Sequence, residues 1–595
     1  MSMEPAQSTT TASAPSAEPR TLLGAQILWD SLVNLGVEVV FGYPGGAIMP
    51  AYDSMIQYPI HHVLVRHEQG AAHMADGYAR ASGRVGVCIA TSGPGATNLV
   101  TGIATAMMDS IPMVAITGQV PSGLIGSDAF QETDITGVAL PITKHSFLVT
   151  RPEDICQALK EAFYIASSGR PGPVLVDITK DAQQASCLYS FDSSPVRLPG
   201  YRPENQVVPT SIRKAVEMIT AAERPVLFSG HGIIQGNATR ELLDFVAKTS
   251  IPVAATLLGL GGFPATHEHA LGMMGMHGEA WVNQAIQEAD LLIAVGMRFD
   301  DRVTGNLKTY APNAKKIHIE LDPAEINKNV HVDLPLVGDC RAILRELNEV
   351  VKAPAITPWL QHIASMKGES AVIDIQELPD NGKLYAAHVM HDLWKLTDGK
   401  AIVVTDVGQH QMWEAQYYKH DYPRRLITSG GLGTMGFALP AGIGAKFGQK
   451  DAEVWVIAGD GGVQMTAAEL TTIAQEGIKV NLAIINNGFL GMVRQWQQFF
   501  YGGRYVATPM KSPDFVKLAD AHGLLGLRAT NRQEVRETIE RARAHDGAVV
   551  IDFRVEQEDS VYPMVASGAD LNDMIRRPKR EEAAHNPIFE TGKDE

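Results

Sequence analysis

Cysteine is scarce in this chain of 595 residues: Cys88, Cys156, Cys187 and Cys340 stand far apart, with no C-x-x-C pair. They offer neither a disulfide framework nor a zinc site, which fits a reducing compartment. No apolar run approaches the ~18 residues of a membrane span. Positive charge is in deficit, 50 Lys and Arg against 66 Asp and Glu for a net charge of −16, and no basic block stands out. Neither nucleic acid nor a membrane is therefore the expected partner. What the chain does have is apolar material, 45% of its residues. Its length suits roughly three or four domains, more than one core can fill. An acidic, cytoplasmic, multidomain protein is expected.

Residues 1–20 are dominated by Ser, Thr, Ala and Pro and read as a disordered tail; Glu4 and Glu18 against a lone Arg20 oppose a transit peptide. From residue 21, short apolar strands alternate with helical periodicity. Strands are expected at 37–44, 85–91, 113–118 and 173–178, then at 225–230, 251–256, 291–296 and 316–321, and finally at 401–406, 454–459, 480–486 and 548–553. Such alternation, with Gly-rich turns at strand ends, predicts α/β architecture: three doubly wound parallel-sheet domains. Their expected bounds are 21–188, 209–350 and 383–555. Proline-containing polar stretches at 187–208 and 356–382 read as linkers, and 556–595 as a mobile C-terminal tail.

The strongest chemical signal is Gly459-Asp460-Gly461, followed by Asn486-Asn487. A strand ends at each, and 466–477 between them has helical spacing. A right-handed crossover sets the carboxyl ends of such strands side by side, in the crevice where open sheets bind ligands. Asp460 and the Asn487 amide oxygen then converge. Hard oxygens suit Mg²⁺, with phosphate and water completing an octahedron, and glycine lets a diphosphate approach the backbone. Taken singly, Asp460 reads better as a helix cap and Asn487 as a turn residue; it is the pair at this spacing that points to the site.

This spacing resembles the thiamine-diphosphate (ThDP) signature, and other motifs agree with it. FGYPGGAIMP (41–50), RHEQGAAHMADGYAR (66–80), TSGPGATN (91–98), TGQVP (117–121), DAFQE (128–132), RFDDR (298–302), TSGGLGTMG (428–436) and GMVRQWQ (491–497) occur in the order of the acetohydroxyacid synthase catalytic subunits. The resemblance runs from about residue 24 to 575. It implies an aminopyrimidine-binding domain, a central FAD-binding domain and a diphosphate-binding domain, with a C-terminal segment helping to cover the active site.

The resemblance also implies roles. Glu68 is the acid that bonds the aminopyrimidine ring and lets the cofactor's amino group act as a base; without the family match it reads better as a helix N-terminal Glu. Tyr43, Gly45, Gly408, Gln409, His410, Gly459 and Gly461 contact ThDP. Met435 is an apolar wedge under the bent cofactor, and the Gly433 carbonyl accepts its amino group. Asp460, Asn487 and the Phe489 carbonyl hold the metal. In the central domain, Gly230-x-Gly232-x-x-x-Gly236 misses the dinucleotide fingerprint by one residue. Family likeness adds Arg170, His277, Gly296, Arg298, Glu320 and Asp339 as FAD contacts. Arg302 meets the carboxylate of a second 2-oxoacid, for which a guanidinium is suited; its other reading is an ion pair with Asp300 or Asp301. Met492 and Trp496, four apart on one helix face, fall at the acceptor pocket or in the core. Phe130, Gln131, Lys180 and Ala47 fall at its entrance.

The implied activity is that of a transferase, a carboligase. Pyruvate is decarboxylated, and the two-carbon unit joins a second pyruvate to give 2-acetolactate, or 2-oxobutyrate to give 2-aceto-2-hydroxybutyrate. These open branched-chain amino-acid synthesis. The implied assembly is a homodimer or homotetramer, with Glu68 and Asp460 of one site on different chains, and a regulatory small subunit. A pyruvate oxidase or decarboxylase of the same fold and a non-catalytic paralogue remain the alternatives.

Overall fold

Three six-stranded sheets, each with all strands parallel, organise the chain in the computed structural model, which describes residues 19–203, 209–367, 378 and 381–578. The readings of 1–18 as a disordered tail and of 579–595 as a mobile one lie outside these residues. The first sheet runs His61–Leu64, Val39–Gly42, Gly86–Ala90, Met113–Gln119, Pro173–Thr179, His145–Val149. In chain order that is 2-1-3-4-6-5. The third sheet repeats this order with Leu426–Thr428, Ile402–Thr405, Val454–Gly459, Asn481–Asn486, Val549–Arg554 and Leu525–Ala529.

The central sheet differs. Ala270–Met273, Val253–Ala255, Pro225–Ser229, Leu291–Val295, Lys315–Glu320 and Leu334–Val337 follow the order 3-2-1-4-5-6, that of dinucleotide-binding sheets. The interior strands of all three sheets are almost wholly buried, as strands covered by helices on both faces must be. Each interior strand falls where the apolar runs predict it. The edge strands are partly exposed, as in His145–Val149 and Leu525–Ala529.

By compactness the described chain forms two units. One comprises 19–72 and 85–201 and carries the first sheet; the other comprises 73–84 and 202–578 and carries the remaining two. The expected linkers are more structured than their composition suggests. Ser186–Tyr189 pairs antiparallel with Arg20–Leu23. Within 356–382, Thr357–Met366 is a helix that buries Trp359 and Ile363 in the central core, its indole N–H on the Pro225 carbonyl at 3.1 Å. The mobile tail is likewise corrected for 556–578. Val561 belongs to the core of the third sheet, and Val565 and Leu571 to that of the central sheet. The segment is a strap, held because those apolar side chains leave water. All four cysteines are free thiols, and among the described residues no helix is long and apolar enough to cross a membrane.

Candidate functional site

In the 2-1-3-4-6-5 order, the sheet direction reverses between strands 1 and 3, and ligands favour the crevice outside that point. In the third sheet these are Ile402–Thr405 and Val454–Gly459. The loop after the first supplies Gly408, Gln409 and His410, and that after the second supplies Asp460 and Gly461. The neighbouring strand Asn481–Asn486 delivers Asn487. Asp460 is the first residue of the helix Asp460–Thr466, with Gly459 as its N-cap, so the expected helix begins earlier than its periodicity shows.

His410 lies against Gly408 and Gly459, its ring 3.0 Å from where a Cβ on either would stand, so a side chain at either would need the ring to give way. Burial holds the imidazole pKa down to about 3, and among the described residues its Nε2 has no hydrogen-bond partner. Asp460 is also buried, and its carboxyl pKa is raised by burial against the Ser512 hydroxyl, which donates to Oδ2 at 2.8 Å. The described residues gather no cluster of three or more His, Cys, Asp or Glu for a metal. A cation at Asp460 must therefore draw on amide, main-chain and ligand oxygens, the set Mg²⁺ shares with a diphosphate. An orphaned buried nitrogen and a buried carboxylate fit that pair.

The Gln409 side chain is committed to protein groups. Its Oε1 accepts from Asn487 Nδ2 at 3.2 Å, and its Nε2 donates to Gln495 Oε1 at 2.9 Å and to the Asp559 carbonyl at 3.2 Å. Any cofactor contact at this position falls to its backbone. Met435 reaches to 3.7 Å from a Cβ on Gly461, and Gly433 has φ +68, a left-handed conformation open to glycine. The loop is fixed by a residue the motifs do not single out. Asp406, buried, accepts from the Gly436 N–H at 2.9 Å and from the Val407 N–H at 2.7 Å.

The first sheet assembles a second group at the carboxyl ends of adjacent strands. Tyr43 and Gly45 follow Val39–Gly42, Glu68 opens the helix Glu68–Ser82 after His61–Leu64, and 91–98 follows Gly86–Ala90. Asn98 donates to Glu68 Oε2 at 2.9 Å. Thirty residues separate them, and no local pattern signals the pair. Gln183, on the short helix headed by Lys180, bonds the Ala47 carbonyl at 3.0 Å, so Lys180 and Ala47 share a locale. Phe130, 89% exposed, and Gln131, at φ +61, lie on a loop tied by Glu132 to the Ala129 and Gly126 N–H groups.

In the central sheet the switch point lies between Pro225–Ser229 and Leu291–Val295. A Cβ on Gly230 would stand 2.1 Å from the Gly296 carbonyl oxygen, and one on Gly232 would stand 2.6 Å from the Gly296 Cα. Three glycines thus make a close backbone cradle where a dinucleotide would lie. The helix after it is short, His231–Gln235, and Gly236 is its C-cap. Among the expected FAD contacts, Asp339 caps the helix Cys340–Val350 through the Ala342 N–H. Glu320 Oε1 accepts from the Leu321 and Asp322 N–H groups, and Arg298 lies 3.9 Å from Asp300. Arg170, in the other unit, bonds the Ser110 hydroxyl at 2.8 Å.

His277 is buried, with its pKa lowered to about 4 by that burial, and the strap crosses it: the Pro563 carbonyl lies 3.4 Å from Nδ1. Met276, absent from the expected residues, lies between the strap and Arg302. Its carbonyl accepts the Val565 N–H, its N–H donates to the Arg302 carbonyl, and its Sδ lies 3.6 Å from Arg302 Nη1. Arg302 makes the alternative ion pair, with Asp301 at 3.7 Å, but both side chains are more than half exposed, so the pair is weak. On the helix Gly491–Phe500, Met492 packs toward the core of the third sheet, whereas Trp496 stays half-buried against the Phe500 ring at 5.1 Å.

Known proteins match along the whole of this arrangement. The thiamine pyrophosphate enzyme family matches three times: its N-terminal TPP binding domain over 23–138, its central domain over 212–347 and its C-terminal TPP binding domain over 406–553. An acetolactate synthase of Mycobacterium bovis is 51% identical over 566 residues, covering 93% of this chain and 91% of that protein. The acetolactate synthase large subunit of Corynebacterium glutamicum is 50% identical over 586 residues, covering 96% and 93%. That of Haemophilus influenzae is 45% identical over 573 residues, covering 95% and 100%. On this evidence the chain belongs to the acetolactate synthase large-subunit family of thiamine pyrophosphate enzymes.

Proposed function

We propose that this chain catalyses acetolactate synthesis, decarboxylating pyruvate and joining the two-carbon unit to a second pyruvate or to 2-oxobutyrate, at the entry to branched-chain amino-acid synthesis. What supports the reading is that Asp460 and Asn487 follow adjacent strands of the third sheet, beside a buried His410 nitrogen with no hydrogen-bond partner among the described residues. When bound, ThDP would supply a nucleophilic carbon for the pyruvate carbonyl and, in its cationic ring, a sink for the electron pair freed on loss of carbon dioxide. Every other task falls to the chain. Glu68, oriented by Asn98, holds a proton at the aminopyrimidine ring nitrogen and so makes the cofactor's amino group a base. Met435 fills the space beneath the bend, and the Gly433 carbonyl accepts the amino group. Asp460, Asn487 and the Phe489 carbonyl hold Mg²⁺ on the diphosphate, with His410 as a neutral donor.

Arg302 receives the carboxylate of the second oxoacid. Trp496 and Met492 set the room for its side chain, and Phe130, Gln131, Ala47 and Lys180 border the entrance. The glycine cradle of the central sheet, with Arg298 and His277, would hold FAD, which would take no net redox part. The working form is a cytoplasmic homodimer or homotetramer with a regulatory small subunit, each site taking Glu68 from one chain and Asp460 from another. An oxidase or simple decarboxylase is the weaker reading, because Arg302 and Trp496 provide for an acceptor that those reactions lack. The test is pyruvate with ThDP, Mg²⁺ and FAD, following acetolactate, acetaldehyde and flavin absorbance. Acetolactate without flavin bleaching is the expected result; acetaldehyde alone or bleaching would replace it with one of the alternatives.

A further inference from the structure

Asp460 receives the hydroxyl of Ser512, 52 residues further along the chain, at 2.8 Å, and backbone pairing brings that serine there. Segment 508–512 runs antiparallel to the loop that follows Asn487. The Leu490 N–H donates to the Thr508 carbonyl at 2.9 Å and the Met510 N–H to the Gly488 carbonyl at 2.8 Å, with Phe489 and Pro509 paired between them. The Thr508 hydroxyl adds a bond to Gln497 Oε1 at 3.0 Å. Met510 then lies over Gly461, its Sδ 3.2 Å from the position of a Cβ there. The clasp is fastened to the same loop that carries Asn487 and Phe489, and its last residue meets the carboxylate.

We infer that Ser512 is a positioning residue for the metal. By donating to Oδ2 it fixes the rotation of the Asp460 carboxylate, so that the remaining oxygen faces the cation together with Asn487 and the Phe489 carbonyl. A carboxylate that is the one acidic ligand proposed for the metal is costly to leave rotating, and hydrogen-bond partners of ligands commonly carry a 10–100-fold share of metal affinity. The inference rests on the proposed metal role of Asp460.

The experiment titrates Mn²⁺ into cofactor-stripped full-length protein with saturating ThDP and reads free Mn²⁺ by electron paramagnetic resonance, which does not depend on turnover. Ser512→Ala is expected to weaken Mn²⁺ binding roughly 10–100-fold. Ser512→Thr, which keeps the hydroxyl at a half-buried position, is expected to restore most of it. Unchanged affinity in Ser512→Ala, or a threonine variant as weak as the alanine one, would overturn the role of Ser512. Asp460→Ala is the separate control. If it binds Mn²⁺ as tightly as the unaltered chain, the metal site itself is misplaced, and the inference falls with it for a different reason.

Discussion

Asp406 shows how a single side chain can carry a pH dependence that no motif announces. Burial pushes its carboxyl pKa up to about 7 even though the Val407 and Gly436 N–H groups favour the anion. In the unfolded chain it titrates near ~3.9. Between those values the folded state keeps a proton that the unfolded state has released. Stability from this group is therefore complete below about pH 4, falls as pH rises toward about 7 and is flat beyond. Asp406→Asn keeps an acceptor for the loop and cannot ionise. Urea midpoints at about pH 5 and about pH 8 should fall less in the variant than in the unaltered chain; parallel falls would remove Asp406 as the cause. Trp496 carries the second prediction at this scale. 2-Oxobutyrate exceeds pyruvate by one methylene, which an apolar pocket discriminates by ~1–3 kcal/mol. Trp496→Leu should lower the preference for 2-oxobutyrate by roughly tenfold or more in a competition assay reporting the product ratio. An unaltered ratio would return Trp496, which leans on Phe500, to a packing role.

The helix Gly491–Phe500 and the strap after strand Val549–Arg554 act as one element through Gln495. Its amide accepts the Val561 N–H at 2.8 Å and donates to the Val561 carbonyl at 3.1 Å, while also receiving Gln409. Gln495 and Val561 are both fully buried, so removing the amide strands two backbone groups away from water, at a cost of ~1–3 kcal/mol each. Gln495→Leu should accelerate hydrogen exchange of the amides in 557–565 by roughly tenfold or more, and exchange unchanged there would mean that the strap is held by its apolar contacts alone. Edge strands show what periodicity misses at this scale. Pro173–Thr179 is buried at every position and reads as a strand from its apolar run, but His145–Val149 beside it offers only the short run Phe147-Leu148-Val149 and is partly exposed. An edge strand is recognised by its partner more than by its own composition.

For the whole molecule, Glu68 and its support Asn98 lie in one compact unit, and Asp460, His410 and Met435 lie in the other. The proposed site takes these two sets from different chains, so activity should follow assembly. Specific activity is expected to fall on dilution in step with the dimer fraction measured by sedimentation; a verified monomer with full activity would exclude the shared site. The sequence by itself determined the α/β class, the interior strands and the meeting of Asp460 with Asn487. Buried parallel strands must be apolar along their length, and a right-handed crossover leaves adjacent strand ends only one arrangement. Only the tertiary structure decided which loops became neighbours: the 3-2-1-4-5-6 order that puts Gly230 against Gly296, the approach of Asn98 to Glu68 and of Ser512 to Asp460, and the packing of 556–578 as a strap. These contacts join residues tens to hundreds of positions apart, and local periodicity holds no record of them. They are set by the order in which strands pair and by the apolar surface that each returning segment buries.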